Sequence, residues 1–236
     1  MNWEEVKEII VPELVCTRRA GENLEDLIYR NVEGTDLAII YRVKQQVANI
    51  VGSIKVSKQM MEAWGVDENR IHEFAFHNMN QLSTLQIVEL NSDFAMPEET
   101  FSELPEKMNK YSSYVFTNKE AFYGAATIME EGMLHSIAER LQEGFYLLPM
   151  DVDNIVVYPE GMMKNLESIH SMVLIHNIQC LEPENYLSDQ VYYYSKEKEE
   201  LSMSTNPENT QDVIIKILQQ AMECSPGKKE DYGEER

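Results

Sequence analysis

Short runs of β-branched and aromatic residues, some of them alternating with polar residues, predict strands along much of the chain. These runs lie at 35–46, 47–57, 84–90, 113–117, 121–129, 145–149, 154–159, 191–195 and 201–204. Turn-forming residues separate neighbouring runs at 118–120, 150–153 and 196–200. Gly52, inside the second run, predicts a β-bulge. The pattern therefore predicts hairpins, and hairpins build antiparallel sheets.

Elsewhere apolar residues recur every three or four positions, which is typical of amphipathic helices. This spacing predicts helices at 2–10, 58–64, 68–82, 132–142, 163–179 and 210–224, and a short helix within 24–33 that ends before Gly34. Pro12 is expected to stop the first helix. Residues suited to capping flank several of the others: Ser57, Asp67 and Thr210 before them, Gly65 and Gly144 after them.

Together these elements predict an α+β fold, a mainly antiparallel sheet built from hairpins with helices packed on it. Residues 1–34 are expected to form an N-terminal helical or irregular segment. Residues 35–224 are expected to form a single α+β domain, in which the acidic stretch 91–110 is a solvated connector carrying one helical turn. The last twelve residues, 225–236, are expected to be a disordered tail.

Composition points to a protein of the cytoplasm. The chain has 236 residues, 43% of them hydrophobic, and no stretch near the ~20 apolar residues that a membrane-spanning helix needs. The acidic N-terminus lacks the features of a secretory signal. Cys16, Cys180 and Cys224 are widely spaced, which fits isolated thiols in a reducing compartment. We expect a cytoplasmic protein without membrane contact.

The formal net charge is −21, from 41 acidic and 20 basic residues. Such a chain is repelled by nucleic acid, so direct nucleic-acid binding is not expected, and a protein partner is. The charge is compatible with solubility alone or with an acidic face that docks on a basic protein, even one that imitates nucleic acid. The total charge does not separate these alternatives, and oligomeric state is not indicated.

Patterns typical of catalytic, metal and cofactor sites are missing from the sequence. His72 and His77 resemble a zinc-protease pair, but their spacing of five places them about 140° apart around a helix. The turn at 151–154 begins like a calcium loop, yet Val156 and Met162 stand where glycine and glutamate are required. Glycine-rich phosphate loops and nucleophile elbows are absent. We therefore expect no catalytic residue, cofactor or metal.

Four segments resemble a bacterial family, frequent among gut anaerobes, that is known only as a domain of unknown function. They are AWGVDENRIHEFAFHN (63–78), YVFTNKEAFYGAATIM (114–129), ERLQEGFYLLP (139–149) and LEPENYLSDQVYYYS (181–195). The corresponding family patterns are WGVSEEEL, LTNKKxLYGAA, LPSSIHEV and LSDxVYxYD. The likeness runs from about Asp36 to about Leu201. Family members have a longer N-terminal half, so the resemblance implies a shortened member.

The resemblance supports the fold and implies no activity, cofactor or substrate. The family's Ser-Ser-Ile-His-Glu turn is replaced at 150–154 by Met-Asp-Val-Asp-Asn, which removes the family's most reactive-looking side chains. We therefore expect a non-catalytic protein-interaction or regulatory module. The alternative is an enzyme or small-ligand binder with an unusual site near Asn118, Tyr123 and Asp189, and a weaker alternative is an acidic mimic of nucleic acid.

Six polar or aromatic residues are the candidates for an interaction site: Asn118, Tyr123, Ser188, Asp189, Tyr192 and Tyr194. The first four match polar positions of the family pattern. Alternation along a strand places Tyr192 and Tyr194 on one face. Turn capping and strand packing are the structural alternative for all six.

Overall fold

Hairpins build two antiparallel sheets in the computed structural model, which describes residues 1–18, 24–47, 50–82, 84–90 and 97–224. Helices pack around these sheets, so the predicted α+β class is confirmed. The tail at 225–236 lies outside the described residues, as does 91–96 of the acidic stretch. Among the described helices, none is long and apolar enough to span a bilayer.

The first sheet is organised around one long strand. Its members are β1 (Ile10–Cys16), β2 (Tyr29–Asn31), β3 (Leu37–Val47) and β4 (Ile50–Lys55). β1 pairs along one side of β3, while β2 and β4 share the other side. Every residue of β1 is buried.

The second sheet has seven strands in the order β11-β10-β8-β9-β7-β5-β6, and each neighbouring pair is antiparallel. The strands are β5 (Leu85–Leu90), β6 (Pro97–Phe101), β7 (Ser113–Asn118), β8 (Phe145–Pro149), β9 (Ile155–Pro159), β10 (Tyr192–Ser195) and β11 (Glu200–Met203). All five residues of β9 are buried because both of its faces are covered.

The α-helices are α1 (Trp3–Val6), α2 (Lys58–Trp64), α3 (Glu68–Leu82), α4 (Met133–Leu141), α5 (Leu166–Cys180) and α6 (Pro207–Cys224), with 3₁₀ turns at Gly124–Met129, Glu160–Met162 and Pro183–Asn185. The predicted caps of α2 are confirmed. Ser57 Oγ accepts from the Met60 N–H at 3.2 Å, and Gly65 is left-handed with φ 66°. Asp67 caps α3, since its Oδ1 accepts from the Arg70 N–H at 2.8 Å.

The main core lies between the sheets and joins them to α1, α3 and α4; it includes Trp3, Leu14, Tyr41, Ile71, Phe116, Ile137, Phe145 and Val157. A second cluster lies on the opposite face of the seven-stranded sheet, under α5, and contains Leu148, Val156, Tyr158, Val173 and Val191. Successive residues of β9 therefore contribute alternately to the two clusters.

The N-terminal expectations are partly wrong. The first helix ends at Val6, and the strand β1 begins at Ile10, which the sequence pattern did not predict. Pro12 lies inside β1 opposite Tyr41; proline is tolerated there because β1 pairs with β3 alone among the described strands. The helix expected within 24–33 is absent, and β2 runs through its second half.

Two strand expectations in the middle of the chain are also corrected. Residues 121–129 form no strand; Ala121 and Tyr123 have φ of 44° and 57°, which turns the chain into the 3₁₀ turn Gly124–Met129. Gly52 makes no bulge, because the β3–β4 register passes through it unshifted. The acidic stretch contains the strand β6 in place of the expected helical turn within its described part.

Two predicted helix ends lie elsewhere. α4 ends at Leu141, and its C-cap is Gln142, which is left-handed with φ 63°, so Gly144 is not the cap. A Cβ at Gly144 would lie 2.8 Å from the Tyr194 carbonyl oxygen, so glycine is required there for close packing. α6 begins at Pro207, where Asn206 Oδ1 accepts from the Glu208 N–H at 3.0 Å, so Thr210 lies inside the helix.

Candidate functional site

A buried carboxylate, Asp36, is the centre of a polar cluster that includes two of the predicted site residues. Its side chain accepts from the Tyr192 phenol at 2.6 Å through Oδ1 and from the Cys16 thiol at 3.5 Å through Oδ2. Ser188 Oγ lies 2.7 Å from the same phenol oxygen. We call these four residues the Asp36 cluster. Asp36 is only 5% exposed, so this arrangement holds a carboxylate almost out of water.

The Asp36 cluster forms where the two sheets meet. Cys16 is the last residue of β1 and Asp36 immediately precedes β3, whereas Tyr192 begins β10 in the other sheet. The turn before β3 approaches β11 closely, because the Met203 N–H donates to the Gly34 carbonyl at 3.0 Å. Gly34 has φ 76°, and a Cβ there would lie 2.1 Å from the Leu201 carbonyl oxygen. Glycine at this turn therefore permits the contact that brings the cluster together.

A cavity of about 200 Å³ opens beside Asp36. Its polar lining consists of Cys16, Arg18, Asp36, Tyr186, Asp189 and Gln190, and residues of α6 such as Thr210 and Ile214 complete the wall. Gln190 Nε2 donates to Thr210 Oγ1 at 3.0 Å, and Thr205 Oγ1 donates to Gln190 Oε1 at 2.8 Å. These bonds fix α6 against the loop before β10 and so shape the cavity. We call this cavity the Asp36 pocket.

The loop that carries Ser188 and Asp189 is held by α5. Asn177 Nδ2 donates to Asp189 Oδ1 at 2.8 Å and to the Ser188 carbonyl at 3.0 Å. The His170 Nε2 lies 2.8 Å from the Asp189 carbonyl oxygen, where it donates. Burial lowers the pKa of His170, so a neutral imidazole is favoured at this contact. The loop is therefore tied to a helix at three points.

Two phenols near the pocket are held in their neutral form. Burial, and then the charge of Asp36, raises the pKa of Tyr192 well above its usual value. Burial, and then Asp189, raises the pKa of Tyr186, which is hydrogen-bonded to the Asp189 side chain. At neutral pH both phenols therefore carry a proton and can donate to a carboxylate. The site therefore combines carboxylates with protonated phenols.

The remaining predicted residues have other surroundings. Asn118 is buried and closes its own loop, since Oδ1 accepts from the Phe122 N–H at 3.1 Å and Nδ2 donates to the Phe122 carbonyl at 3.0 Å. Tyr194 stacks on Phe145 with ring centroids 5.3 Å apart. These contacts are those of a turn and of a core.

Tyr123 belongs to a second polar cluster, formed with Glu13, Arg42 and Ser53, which we call the Glu13 cluster. Its hydroxyl lies 3.0 Å from Ser53 Oγ, and the Arg42 guanidinium carbon lies 5.0 Å from the centre of its ring. Arg42 forms an ion pair with the buried Glu13. The structure thus places Ser188 and Tyr192 in the Asp36 cluster, Asp189 on the lining of the Asp36 pocket, and Tyr123 in a different cluster.

Sequence reasoning missed Asp36, Cys16 and Arg18. The strand β1, which carries Cys16 to the site, was not predicted, so nothing in the pattern placed these three residues together. A signal was present in the buried run 37–41, because an acidic residue directly before such a run is carried to the end of a strand.

Three other hollows mark the surface. One, of about 570 Å³, is lined by residues including Tyr111, Tyr158 and Ile169; another, of about 590 Å³, lies between α5 and α6 and includes His170 and Val213. A third, of about 400 Å³, is lined by Glu143, Glu160 and Tyr193 among others. Within the described part of the chain, no group of three or more histidine, cysteine, aspartate or glutamate residues is placed to hold a metal ion.

Comparison with known proteins identifies a family. No curated protein and no solved structure matches the chain. Residues 1–196 match a family described as a family of unknown function (DUF5688). The match includes residues 1–35, which the sequence resemblance left out, and it reaches through β10, while β11 and α6 lie beyond it. Because it covers most of the chain, this protein belongs to the DUF5688 family of unknown function.

Proposed function

We propose that the protein is a non-catalytic, cytoplasmic module that acts through contact with another protein. The observation that carries this proposal is the outer face of α5, where Ile175 and Ile178 are 37% and 51% exposed. These two residues are three positions apart, so they share one face of the helix. We call this surface the α5 face. Exposed isoleucines side by side are typical of an interaction surface.

The rest of α5 explains why this face is unusual. Val173 and Leu174 are buried, and Val173 packs on the second core cluster, whereas Ile169 and Met172 are half-buried against it. The apolar residues of α5 therefore extend from its buried side to its outer face, where an amphipathic surface helix usually carries polar residues. Two of the large hollows flank it, and α6, which carries the exposed Ile215, packs beside it.

The partner that fits best is a basic protein, because the chain carries a net charge of −21. In this arrangement the isoleucines supply affinity, and the net negative charge of the chain supplies a fast encounter. The weaker alternative, an acidic mimic of nucleic acid, assigns the contact to carboxylates and not to isoleucines. A partner that still binds after the isoleucines are replaced, and is released by salt alone, would favour the mimic.

The test is to replace both isoleucines and to identify which proteins still cross-link to the chain. Ile175→Asp/Ile178→Asp changes the α5 face, and Ile54→Asp is the matched control, since Ile54 is an exposed isoleucine on β4 in the other sheet. We expect proteins cross-linked by the wild type in lysate of the source organism to be retained by the Ile54 variant and lost by the double variant. Circular dichroism verifies that all three proteins are folded.

Two results would contradict the proposal. One is an unchanged set of cross-linked proteins in the double variant. The other is turnover of nucleotides, esters or peptides at a rate that depends on a particular residue of this chain. Sedimentation of the purified wild type and the double variant shows whether the partner is a second copy, because only self-association would be abolished in that experiment.

A further inference from the structure

We propose that the Asp36 pocket binds a small organic cation with a primary ammonium or guanidinium group. This site is separate from the α5 face and does not depend on the function proposed for that face. The evidence is the charge of the pocket, its size, and the position of Arg18 at its mouth.

The charge of the pocket is incompletely balanced. Among the described residues, the hydrogen-bond donors to the Asp36 carboxylate are neutral, a phenol and a thiol. In the same part of the chain, the cation that pairs with it is Arg18, whose Nε lies 4.0 Å from Asp36 Oδ2 and whose side chain is 58% exposed. An ion pair of that length on an exposed side chain contributes little. A buried carboxylate is stabilised far more by a cation that makes direct hydrogen bonds, and such a cation fits the space beside it.

A second carboxylate lines the same pocket. Asp189 faces the cavity and adds a second negative charge, so the lining holds two acids and one arginine. One Asp189 oxygen accepts from Asn177, which leaves further lone pairs on a group that has about four acceptor sites. The lining therefore favours a cation and disfavours an anion. Tyr186 donates to Asp189, and this bond holds the carboxylate in place.

The size of the pocket favours a small ligand. Its volume of about 200 Å³ is below the ~300–1,000 Å³ typical of sites for drug-sized ligands. Pro207 and Ile214 supply an apolar wall beside the acids, which fits a short alkyl stem. A four-carbon amine fills this space with its charged end at Asp36 and its stem against α6.

Arg18 acts as a competitor in this arrangement. Its guanidinium lies at the mouth, close enough to Asp36 for a weak attraction and exposed enough to leave. A ligand cation displaces it from the carboxylate. Removing the Arg18 charge should therefore strengthen cation binding, whereas a purely structural role of the arginine predicts no change in affinity.

The experiment titrates the purified full chain with butylamine, butylguanidine, butanol and butyrate at neutral pH, followed by calorimetry and by amide chemical shifts. We expect saturable binding of the two cations, with shifts at residues 16–18 and 186–190, and no saturable binding of butanol or butyrate. Asp36→Asn should weaken butylamine binding by roughly ten- to a hundredfold, the effect of one lost charge-assisted hydrogen bond. Arg18→Gln should strengthen it.

Asp212→Asn is the matched control, because Asp212 is an exposed acid on α6 that lines the neighbouring hollow and not this pocket. It removes the same charge and should leave affinity unchanged. If Asp36→Asn fails to fold, the butylamine affinities of Asp189→Asn and Arg18→Gln test the proposal instead. The proposal is overturned if butylamine does not saturate the wild type, if butyrate binds equally well, if Asp212→Asn weakens binding as much as the pocket variants do, or if Arg18→Gln weakens binding.

Discussion

The Asp36 cluster and the Glu13 cluster each hold one buried carboxylate, but they neutralise it in different ways. Glu13 accepts from Arg42 Nε, and Arg42 Nη1 donates to Ser53 Oγ at 2.9 Å. The ring of Tyr123 then covers the guanidinium. Asp36, in contrast, has neutral donors at hydrogen-bond distance, and its cation, Arg18, stands at 4.0 Å.

The difference separates a structural polar cluster from a candidate binding site. A carboxylate that has its own guanidinium in direct contact has no need of an outside cation, and none of the four hollows described above is lined by the Glu13 cluster. The Asp36 cluster combines weaker neutralisation with an adjoining cavity. Burial of an acid is common to both clusters, so burial alone does not identify a site. The chemistry of the nearest donors does.

The largest effect is expected for Arg42→Met in the Glu13 cluster. This change leaves the Glu13 carboxylate buried without its guanidinium, and breaking a buried ion pair in this way costs about 3–5 kcal/mol. Denaturant unfolding measures the loss as a lower midpoint with an unchanged slope.

The control for Arg42→Met is the double variant Glu13→Gln/Arg42→Met, which removes both charges. It should recover most of the lost stability, because no uncompensated charge remains in the interior. If Arg42→Met alone lowers the free energy of unfolding by less than about 1 kcal/mol, the range of exposed ion pairs, then water reaches Glu13. That result would remove the contrast between the clusters.

A smaller effect is expected for Tyr192→Phe in the Asp36 cluster. The change removes the phenol that donates to Asp36 Oδ1 at 2.6 Å, which costs about 1–3 kcal/mol at neutral pH. Arg18 and the thiol remain near the carboxylate, so the loss should stay below that of Arg42→Met. Tyr111→Phe is the control, since Tyr111 is exposed, and it should leave stability unchanged.

The difference in unfolding free energy between wild type and Tyr192→Phe should change with pH in a definite direction. The pKa of Tyr192 is raised in the folded protein, first by burial and then by Asp36, so folding favours the protonated phenol. Its contribution is complete below the ordinary tyrosine pKa of about 10 and is lost as the pH rises above it. The gap in unfolding free energy between wild type and Tyr192→Phe should therefore narrow at alkaline pH. A gap that widens would contradict the assignment.

Sequence patterns predicted much of the local structure correctly and missed contacts between residues that lie far apart in the chain. The caps at Ser57 and Asp67 and the hairpin of β8 and β9 could be predicted because they depend on residues a few positions apart. The bond between Tyr192 and Asp36 joins residues 156 positions apart, and no periodicity encodes it. Of the six candidate residues, Ser188 and Tyr192 lie in the Asp36 cluster and Asp189 lines the adjoining pocket, and the role of all three stays a prediction.

Misleading local patterns explain why β1 was not predicted and why a strand was wrongly predicted at 121–129. β1 contains Pro12 and Glu13, which disfavour a strand in isolation, yet Glu13 is accommodated by Arg42 on the neighbouring strand. Residues 121–129 are apolar enough for a strand, but burial on all sides suits the compact 3₁₀ turn equally well. Here tertiary packing decided between two structures that the apolar pattern allows.

The smallest effect concerns the backbone that leads into each cluster. The turn before Asp36 has glycine at its left-handed position, Gly34, whereas the loop that carries Tyr123 into the Glu13 cluster has Ala121 with φ 44°. Ala121→Gly should relieve that strain and raise the free energy of unfolding by about 0.5–1 kcal/mol. Ala63→Gly is the control. Ala63 is an exposed alanine inside α2, where glycine should lower the free energy of unfolding by about 1 kcal/mol. Denaturant unfolding of both variants shows whether the signs are opposite. If Ala121→Gly is also destabilising, the loop is unstrained, and Tyr123 is held by its contacts with Arg42 and Ser53 and by its N–H bond to Asp153.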